Sequence, residues 1–250
     1  APCGGSGSRL TTGRGRRNAL AEVPLDDEGH LRFVLDYLGH ELEPSILIGG
    51  WATFARVGGD ISRDIDLIIG SHEVREKVRG ALSELSESSH LQGTKWRGEV
   101  EGVHVDVYIP HQSELGGKLR LRVEVLADHT EDLGQGKWRL LTIDAHTISK
   151  MAALLDRPDT EKGFKDAREI LRLLETGVDA SSACRILARA SASPQEELVG
   201  YVDAAFDLLG PRSGANKKQR EQIRRWRREW VTAITREVEA RPQRGRPALA

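Results

Sequence analysis

Ile46-Leu47-Ile48-Gly49-Gly50-Trp51-Ala52 and, a short helix-like stretch later, Arg63-Asp64-Ile65-Asp66-Leu67-Ile68-Ile69 decide how this chain folds. A short apolar run ending in two glycines reads as a buried strand over Ser45 to Ile48. Its exit lets the backbone come close to a bulky group, with free N–H groups at the start of a helix, an arrangement suited to phosphate oxygens. Trp51 to Val57 supplies one or two helical turns, and Gly58-Gly59 ends them. Residues two apart on a strand share a face. Asp64 and Asp66 therefore point to one side of the next strand, Ile65 and Leu67 to the other.

Downstream, Val103, Val105, Val107 and Ile109 alternate with His104, Asp106 and Tyr108, a strong strand pattern whose polar face carries a third acid. His104 and Tyr108 flank Asp106 on that face. Three carboxylates brought together repel one another unless cations lie between them. Mg²⁺ prefers oxygen ligands and commonly bridges protein carboxylates to substrate phosphates, so Asp64, Asp66 and Asp106 are candidate metal ligands. An Asp-x-Asp strand alone, or a glycine pair alone, is commonplace; their combination with Asp106 is what points to a site.

Further out, Leu31, Val34, Leu35, Leu38 and Leu42 follow helical spacing after Asp26 and Asp27. His72 to Leu85 also reads as a helix. Leu119, Leu121, Val123 and Val125 alternate and predict another strand, and Trp138 to Ile143 closes the strand series. After Asp144, a candidate helix cap, strand signals vanish. Helices are expected at about 145–156, 160–176, 179–191, 195–209 and 216–239, broken at Pro158, Gly177 and Gly210-Pro211. Mixed α/β followed by all-α predicts an α+β protein: a mixed sheet with flanking helices, then a C-terminal helical bundle. The expected organisation is a tail over 1–20, a catalytic domain over 21–143, a helical domain over 144–240 and a second tail over 241–250.

With 38% hydrophobic and 30% charged residues, the chain has the composition of a folded globular protein. Its apolar runs are too short to span a bilayer, and its start lacks the apolar core of a signal peptide. Cys3 and Cys184 lie far apart and make no disulfide framework, so a reducing cytoplasm is expected. Net charge is -1, but basic residues cluster locally. Arg9, Arg14, Arg16 and Arg17 precede Asn18 without an acid, and Lys217 to Arg228 holds seven basic residues against Glu221. In that second stretch Ile223, Trp226, Trp230 and Ile234 fall at helical spacing, which predicts a packed amphipathic helix. Arg224, Arg225, Arg227 and Arg228 on its outer face would also suit an RNA backbone. His72, His90, His111, His129 and His146 show no metal-ligand spacing. Gly134-Gln135-Gly136-Lys137 is too short for a phosphate loop and reads as a hairpin turn.

The glycine pair, Asp-x-Asp and later acid resemble the nucleotidyltransferase-fold (polymerase-beta-like) superfamily. More narrowly the chain resembles the AbiEii type of toxin nucleotidyltransferase, including the related MenT toxins. That wider match runs through Lys150-Met151-Ala152-Ala153, Arg157 and Lys165-Asp166-Ala167-Arg168-Glu169-Ile170. Trp51 stands where the family often has Ser or Thr, and Glu169 where it commonly has Asp.

The resemblance implies Asp64, Asp66, Asp106, Lys150 and Asp166 as catalytic residues. It implies Gly49, Gly50, Arg63, Lys150, Arg157 and Lys165 as nucleotide contacts. Lys150 and Arg157, two helical turns apart, can share one face and offset triphosphate charge. The implied reaction moves a nucleoside monophosphate from an NTP to an acceptor hydroxyl with two Mg²⁺ ions, or Mn²⁺. The expected acceptor is RNA, foremost the tRNA acceptor end, in the manner of a type IV-like toxin with a cognate antitoxin. The alternatives are a small-molecule (antibiotic) nucleotidyltransferase, which should offer an acidic pocket to its cationic substrate, and a non-catalytic binding protein on the same fold.

Overall fold

The computed structural model describes residues 27–42, 45–90, 93–132 and 138–240. The two expected tails, Cys3 and the Gly134–Lys137 turn lie outside the described residues. In chain order the elements begin with α1 (Asp27–Leu42), β1 (Ser45–Ile48), α2 (Gly49–Val57), β2 (Ile65–Ile68) and α3 (His72–Ala81). A hairpin and its continuation follow: β3 (Ser83–His90), β4 (Gly93–Val100) and β5 (Val103–Leu115). Then come β6 (Leu121–Arg122), α4 (Val123–Ala127), β7 (Thr130–Asp132) and β8 (Trp138–Leu141). The remainder is helical: α5 (Ile143–Asp156), α6 (Glu161–Glu175), α7 (Ala180–Ala190), a 3₁₀ turn at Gln195–Glu197, α8 (Leu198–Arg212) and α9 (Lys217–Glu239).

The strands form one mixed sheet in the order β3-β4-β5-β2-β1-β8-β7, with β6 paired to β5. β2 runs parallel to β5 and β1 parallel to β8; the other neighbours are antiparallel. Side-chain alternation sorts each strand between two cores. Leu47, Ile65, Leu67, Val105 and Val107 join α1, α2 and α3 on one face. Ile48 and Ile68 face the other way and join the core of α5 to α9, which also holds Phe206 and Trp230. Residues on both sides of position 143 share that second core, so the sheet and the helices are packed together. Asp66 and Asp106 lie on strands whose apolar residues are pulled to the α1–α3 side, which turns both acids toward α5 and α6.

The helices start where capping chemistry allows. Thr142 accepts from the Ala145 N–H at the head of α5, Thr160 from Gly163 at α6 and Asp179 from Ser181 at α7. Asn216 and Gln219 form a reciprocal capping box at α9. The cap of α5 is thus Thr142 rather than Asp144, whose Oδ1 instead accepts from the Asp179 N–H at 3.1 Å.

Four sequence expectations are corrected. The helix from His72 stops at Ala81, and the chain then forms β3 and β4, a polar hairpin whose outer strand is a sheet edge. The run from Leu119 to Val125 is a two-residue strand followed by helix α4, because Val123 and Leu126, three apart, bury together on a helical turn. Ile143 begins α5 instead of ending the last strand. Gly210-Pro211 does not break α8, which continues to Arg212. Among the described residues no helix is long and apolar enough to cross a membrane.

Candidate active site

A cleft of about 570 Å³ opens between the sheet face bearing the acids and the first two helices of the helical half. Gly49, Gly50, Arg63, Asp64, Asp66, Asp106, Lys150, Arg157, Lys165 and Asp166 all line it. The four arginines singled out on α9 do not.

The back wall is set by strand register. Ile48 pairs with Asp66 across β1 and β2, and Asp66 pairs with Asp106 across β2 and β5. One row of the sheet thus runs from the residue before Gly49 through two carboxylates. Gly49 sits at φ 69 in the left-handed region. A Cβ there would collide with the Asp66 carboxylate, so glycine is required both for the backbone turn and for the close approach. A Cβ on Gly50 would lie 2.7 Å from the Ser62 Cβ. The two glycines open α2, whose first N–H groups have no partner within the helix.

This turn is anchored from behind. Thr53 Oγ1 donates to the Gly49 carbonyl at 3.1 Å and lies 2.7 Å from His146 Nε2, with both side chains fully buried. Burial, aided by the nearby Lys150 and Arg56 charges, keeps the His146 pKa well below its ordinary value. Trp51 is buried in the α1–α3 core, edge-on to Phe54 with the Arg32 guanidinium over both rings. Its position is therefore structural, which accounts for an aromatic residue beside the second glycine.

The acids experience different surroundings. Asp66 is pushed up to about 6, first by burial and then by repulsion from Asp106. At Asp106 burial acts in the same direction, but hydrogen bonds from Arg97 and Lys95 outweigh it and hold the carboxyl below its usual range. Lys95 Nζ lies 2.6 Å from Oδ2, and Arg97 reaches Oδ1 through Nε at 2.8 Å. Asp64 is half-exposed and pairs with Lys162 at 3.0 Å.

The opposite wall is a buried charge network between α5 and α6. Lys150 Nζ contacts Glu169 at 2.6 Å and Asp166 at 3.3 Å, while Arg157 reaches Asp166 at 2.7 Å. Burial works against the Lys150 charge, but Glu169 and Asp166 overcome it and raise the lysine's pKa. Lys165 bonds the Ile61 carbonyl at 3.0 Å, and its pKa is lowered mainly by burial.

The expected convergence of three carboxylates on shared ions is only partly met. Among the described residues, no group of three potential ligands is close enough to hold one ion. Lys95 and Arg97 bond the carboxylate oxygens of Asp106, and Lys162 bonds Asp64. The donor set nonetheless fits a hard cation: Asp66 and Asp106 are register partners on adjacent strands, and with Asp64 they turn carboxylate oxygens into one cleft.

Sequence reasoning missed Lys95, Arg97 and Lys162. The first two lie on the unread strand β4. Its signal is Val100-Glu101-Gly102-Val103, where both central residues have positive φ, the hallmark of a type I′ hairpin turn. Of the two neighbours of Asp106, Tyr108 lines the cleft, whereas His104 is exposed and faces Glu99 at 3.9 Å. On α9, Ile223, Trp230 and Ile234 are buried. Arg227 is engaged by Asp203 and Asp207 of α8, while Arg224, Arg225 and Arg228 are exposed.

No family model matches the chain, and no curated protein matches it in sequence. Solved structures that resemble it include a nucleotidyltransferase-like protein from Paracoccidioides brasiliensis, at 16% identity over 72% of this chain and 91% of that one, with a TM-score of 0.40. Another is ANT(2″)-Ia with adenylyl-2″-tobramycin, at 17% identity over 64% and 94%, with a TM-score of 0.42. A third is the Thermotoga maritima CCA-adding enzyme with tRNA, at 12% identity over 81% and 57%, with a TM-score of 0.30. These likenesses are too distant to carry an argument about function, which rests on the residues of the cleft.

Proposed function

We propose that the cleft transfers a nucleoside monophosphate from an NTP to an acceptor hydroxyl, releasing pyrophosphate. One observation carries this reading: Asp66 and Asp106 lie side by side on β2 and β5, next to the Gly49 turn that follows β1 and in one cleft with Lys150 and Arg157. Asp64, Asp66 and Asp106 would hold divalent cations, two Mg²⁺ or Mn²⁺. When bound, these lower the pKa of the attacking hydroxyl and offset triphosphate charge.

The chain's own groups divide the remaining work. The Gly49 and Gly50 N–H groups and the exposed Arg63 bind phosphate oxygens at the head of α2. Asp106 takes the proton of the acceptor hydroxyl as the new O–P bond forms. The bond from the α-phosphorus to the bridging oxygen breaks, and its electron pair leaves on pyrophosphate. Lys150 stabilises the charge that develops there, with Arg157 and Lys165 beside it. Asp166 and Glu169 position Lys150 from within the protein.

For the acceptor, the cleft's own charge favours a polyanion. Seven Lys and Arg side chains line it against five Asp. A cationic antibiotic would be repelled by that excess, whereas RNA is attracted by it. The tRNA acceptor end is our leading acceptor, in a toxin neutralised by a cognate antitoxin protein. The test is incubation with total tRNA and each α-labelled NTP in turn, beside a parallel reaction on aminoglycosides. Label on tRNA that disappears with Asp64→Ala supports the proposal. Equal incorporation by Asp64→Ala refutes the site, label on the antibiotic alone moves the acceptor, and no label on either favours a binding protein.

A further inference from the structure

Behind the glycine turn, Thr53 of α2 and His146 of α5 form a buried pair that no step of the proposed reaction uses. Both residues are at most 1% exposed, and His146 stands one helical turn before Lys150. A hydroxyl carries a single hydrogen. Thr53 donates it to the Gly49 carbonyl at 3.1 Å, so the 2.7 Å contact with His146 Nε2 is a bond that the ring donates. The ring is therefore the tautomer protonated on Nε2, and Nδ1 keeps a buried lone pair without a hydrogen-bond partner among the described residues. In the reverse arrangement Thr53 would donate to the ring. The Gly49 carbonyl would then lose the hydroxyl, and Nδ1 would carry an unpartnered N–H. That arrangement has one buried hydrogen bond fewer and is the less stable of the two. Burial, with the Lys150 and Arg56 charges, holds the His146 pKa well below its ordinary value and keeps the ring neutral.

The carbonyl at the end of this chain of bonds belongs to the peptide unit that joins Gly49 to Gly50. A trans peptide is planar, with its C=O and N–H on opposite edges. Drawing the Gly49 carbonyl toward buried Thr53 turns the Gly50 N–H the other way, and Gly50 lines the cleft. Neither glycine has a side chain to steady that unit, and Gly49 is in the left-handed region. A threonine bonded to the carbonyl four residues back is common in helices. The ring that reaches it from a second helix is what fixes the hydroxyl here.

We infer that His146 is a positioning residue for the phosphate seat: through Thr53 it holds the Gly49–Gly50 peptide unit so that the Gly50 N–H meets a phosphate oxygen of the NTP. The inference rests on reading the glycine turn as the seat of the triphosphate. One helix then places two donors on that group, the Lys150 ammonium directly and the Gly50 N–H through His146.

The tautomer is read without any substitution, by long-range proton–nitrogen NMR on the full chain labelled with ¹⁵N-histidine; loss of the signal in His146→Gln assigns it. A protonated Nε2 and a bare Nδ1 are expected. A protonated Nδ1 overturns the inference, because Thr53 would then give its hydrogen to the ring. Calorimetry with a non-hydrolysable α,β-methylene NTP and with inorganic tripolyphosphate, both with Mg²⁺, follows. His146→Leu keeps the bulk and removes the donor, and should weaken both ligands about tenfold, the loss of one hydrogen bond to a charged group. His146→Gln sets an amide N–H near the place of Nε2 and should bring affinity back to within about twofold of wild type. His146→Asn is too short to reach Thr53 and should resemble His146→Leu. A loss shared equally by all three variants reflects packing of the ring and overturns the positioning role, as does no loss in any of them.

Thr53→Val joined to His146→Leu should weaken binding no more than Thr53→Val alone, since both break one chain of bonds; additive losses count against the inference. Thermal melting checks that each variant is folded at the assay temperature. If His146→Leu is not, the contrast between His146→Gln and His146→Asn and the wild-type tautomer carry the same decision. Wild type that binds neither ligand overturns the phosphate seat and the inference with it. The expected ranking of variants without any nucleotidyl transfer refutes the activity alone. Transfer by His146→Leu equal to that of wild type at subsaturating NTP refutes the inference alone.

Discussion

The two walls of the cleft hold their charges in opposite ways. On the helical wall, Lys150, Asp166 and Glu169 are almost fully buried and form ion pairs with one another. On the sheet wall, Asp106 is buried beneath the partly exposed Lys95 and Arg97, and Asp64 pairs with Lys162 at the surface. A buried pair cannot be opened without stranding a charge in a poorly solvated place, whereas an exposed pair opens into water. The helical wall is therefore built to stay as it is, whereas the Asp64–Lys162 pair of the sheet wall can change partners.

The sharpest way to break this contrast is Lys150→Ala. It strands the buried Glu169 carboxylate, leaves Asp166 to Arg157 alone, and should cost about 3–5 kcal/mol of stability, read from urea unfolding. A loss below about 1 kcal/mol would place the network with the exchangeable pairs. Gly49→Ala comes next, because its left-handed backbone and the Asp66 carboxylate both resist a methyl group. We expect roughly 1–3 kcal/mol from backbone strain, with loss of NTP binding in a titration. Thr53→Val removes the bonds to the Gly49 carbonyl and to His146 while keeping the side chain's shape. It should cost about 1–3 kcal/mol and weaken NTP binding, and Thr53→Ser should restore both. The smallest effect belongs to Lys162→Ala, whose half-exposed pair with Asp64 is worth less than about 1 kcal/mol in thermal or chemical melting. A larger loss would show that the sheet wall, too, is load-sharing.

The part of the fold nearest the chemistry was legible in the sequence because it is buried. The strands at Ser45–Ile48, Ile65–Ile68 and Val103–Leu115 show their apolar residues in short runs or alternation, and the glycines mark the turn between the first strand and α2. The edge hairpin was not legible. Ser83 to His90 has one apolar residue, Leu85, so the period-2 signal that burial imposes on a strand is absent. Lys95 and Arg97 were missed with it, though neither side chain is unusual by type.

At Leu119 to Val125 the alternation was real in burial yet misleading in structure. Leu119, Leu121 and Val123 are all fully buried, but the chain passes from a brief strand into a helix between them. The charge network on α5 and α6 was half visible: spacing placed Lys150 and Arg157 on one face. That both converge on Asp166 depends on how two helices pack, which no local pattern states.

Because Asp66 and Asp106 are register partners on adjacent parallel strands, their separation is measured out by the backbone ladder, about 4.8 Å per strand. Side-chain rotation can trim that gauge but cannot reset it. Length changes in the turns before and after these strands leave the gauge intact. A one-residue insertion between Ile65 and Asp66 would instead turn the acid into the apolar layer beneath and turn Leu67 to the cleft side. The tolerance of this site to evolution is thus set by strand phase: loops are free to drift, while the count of residues along β2 and β5 is not.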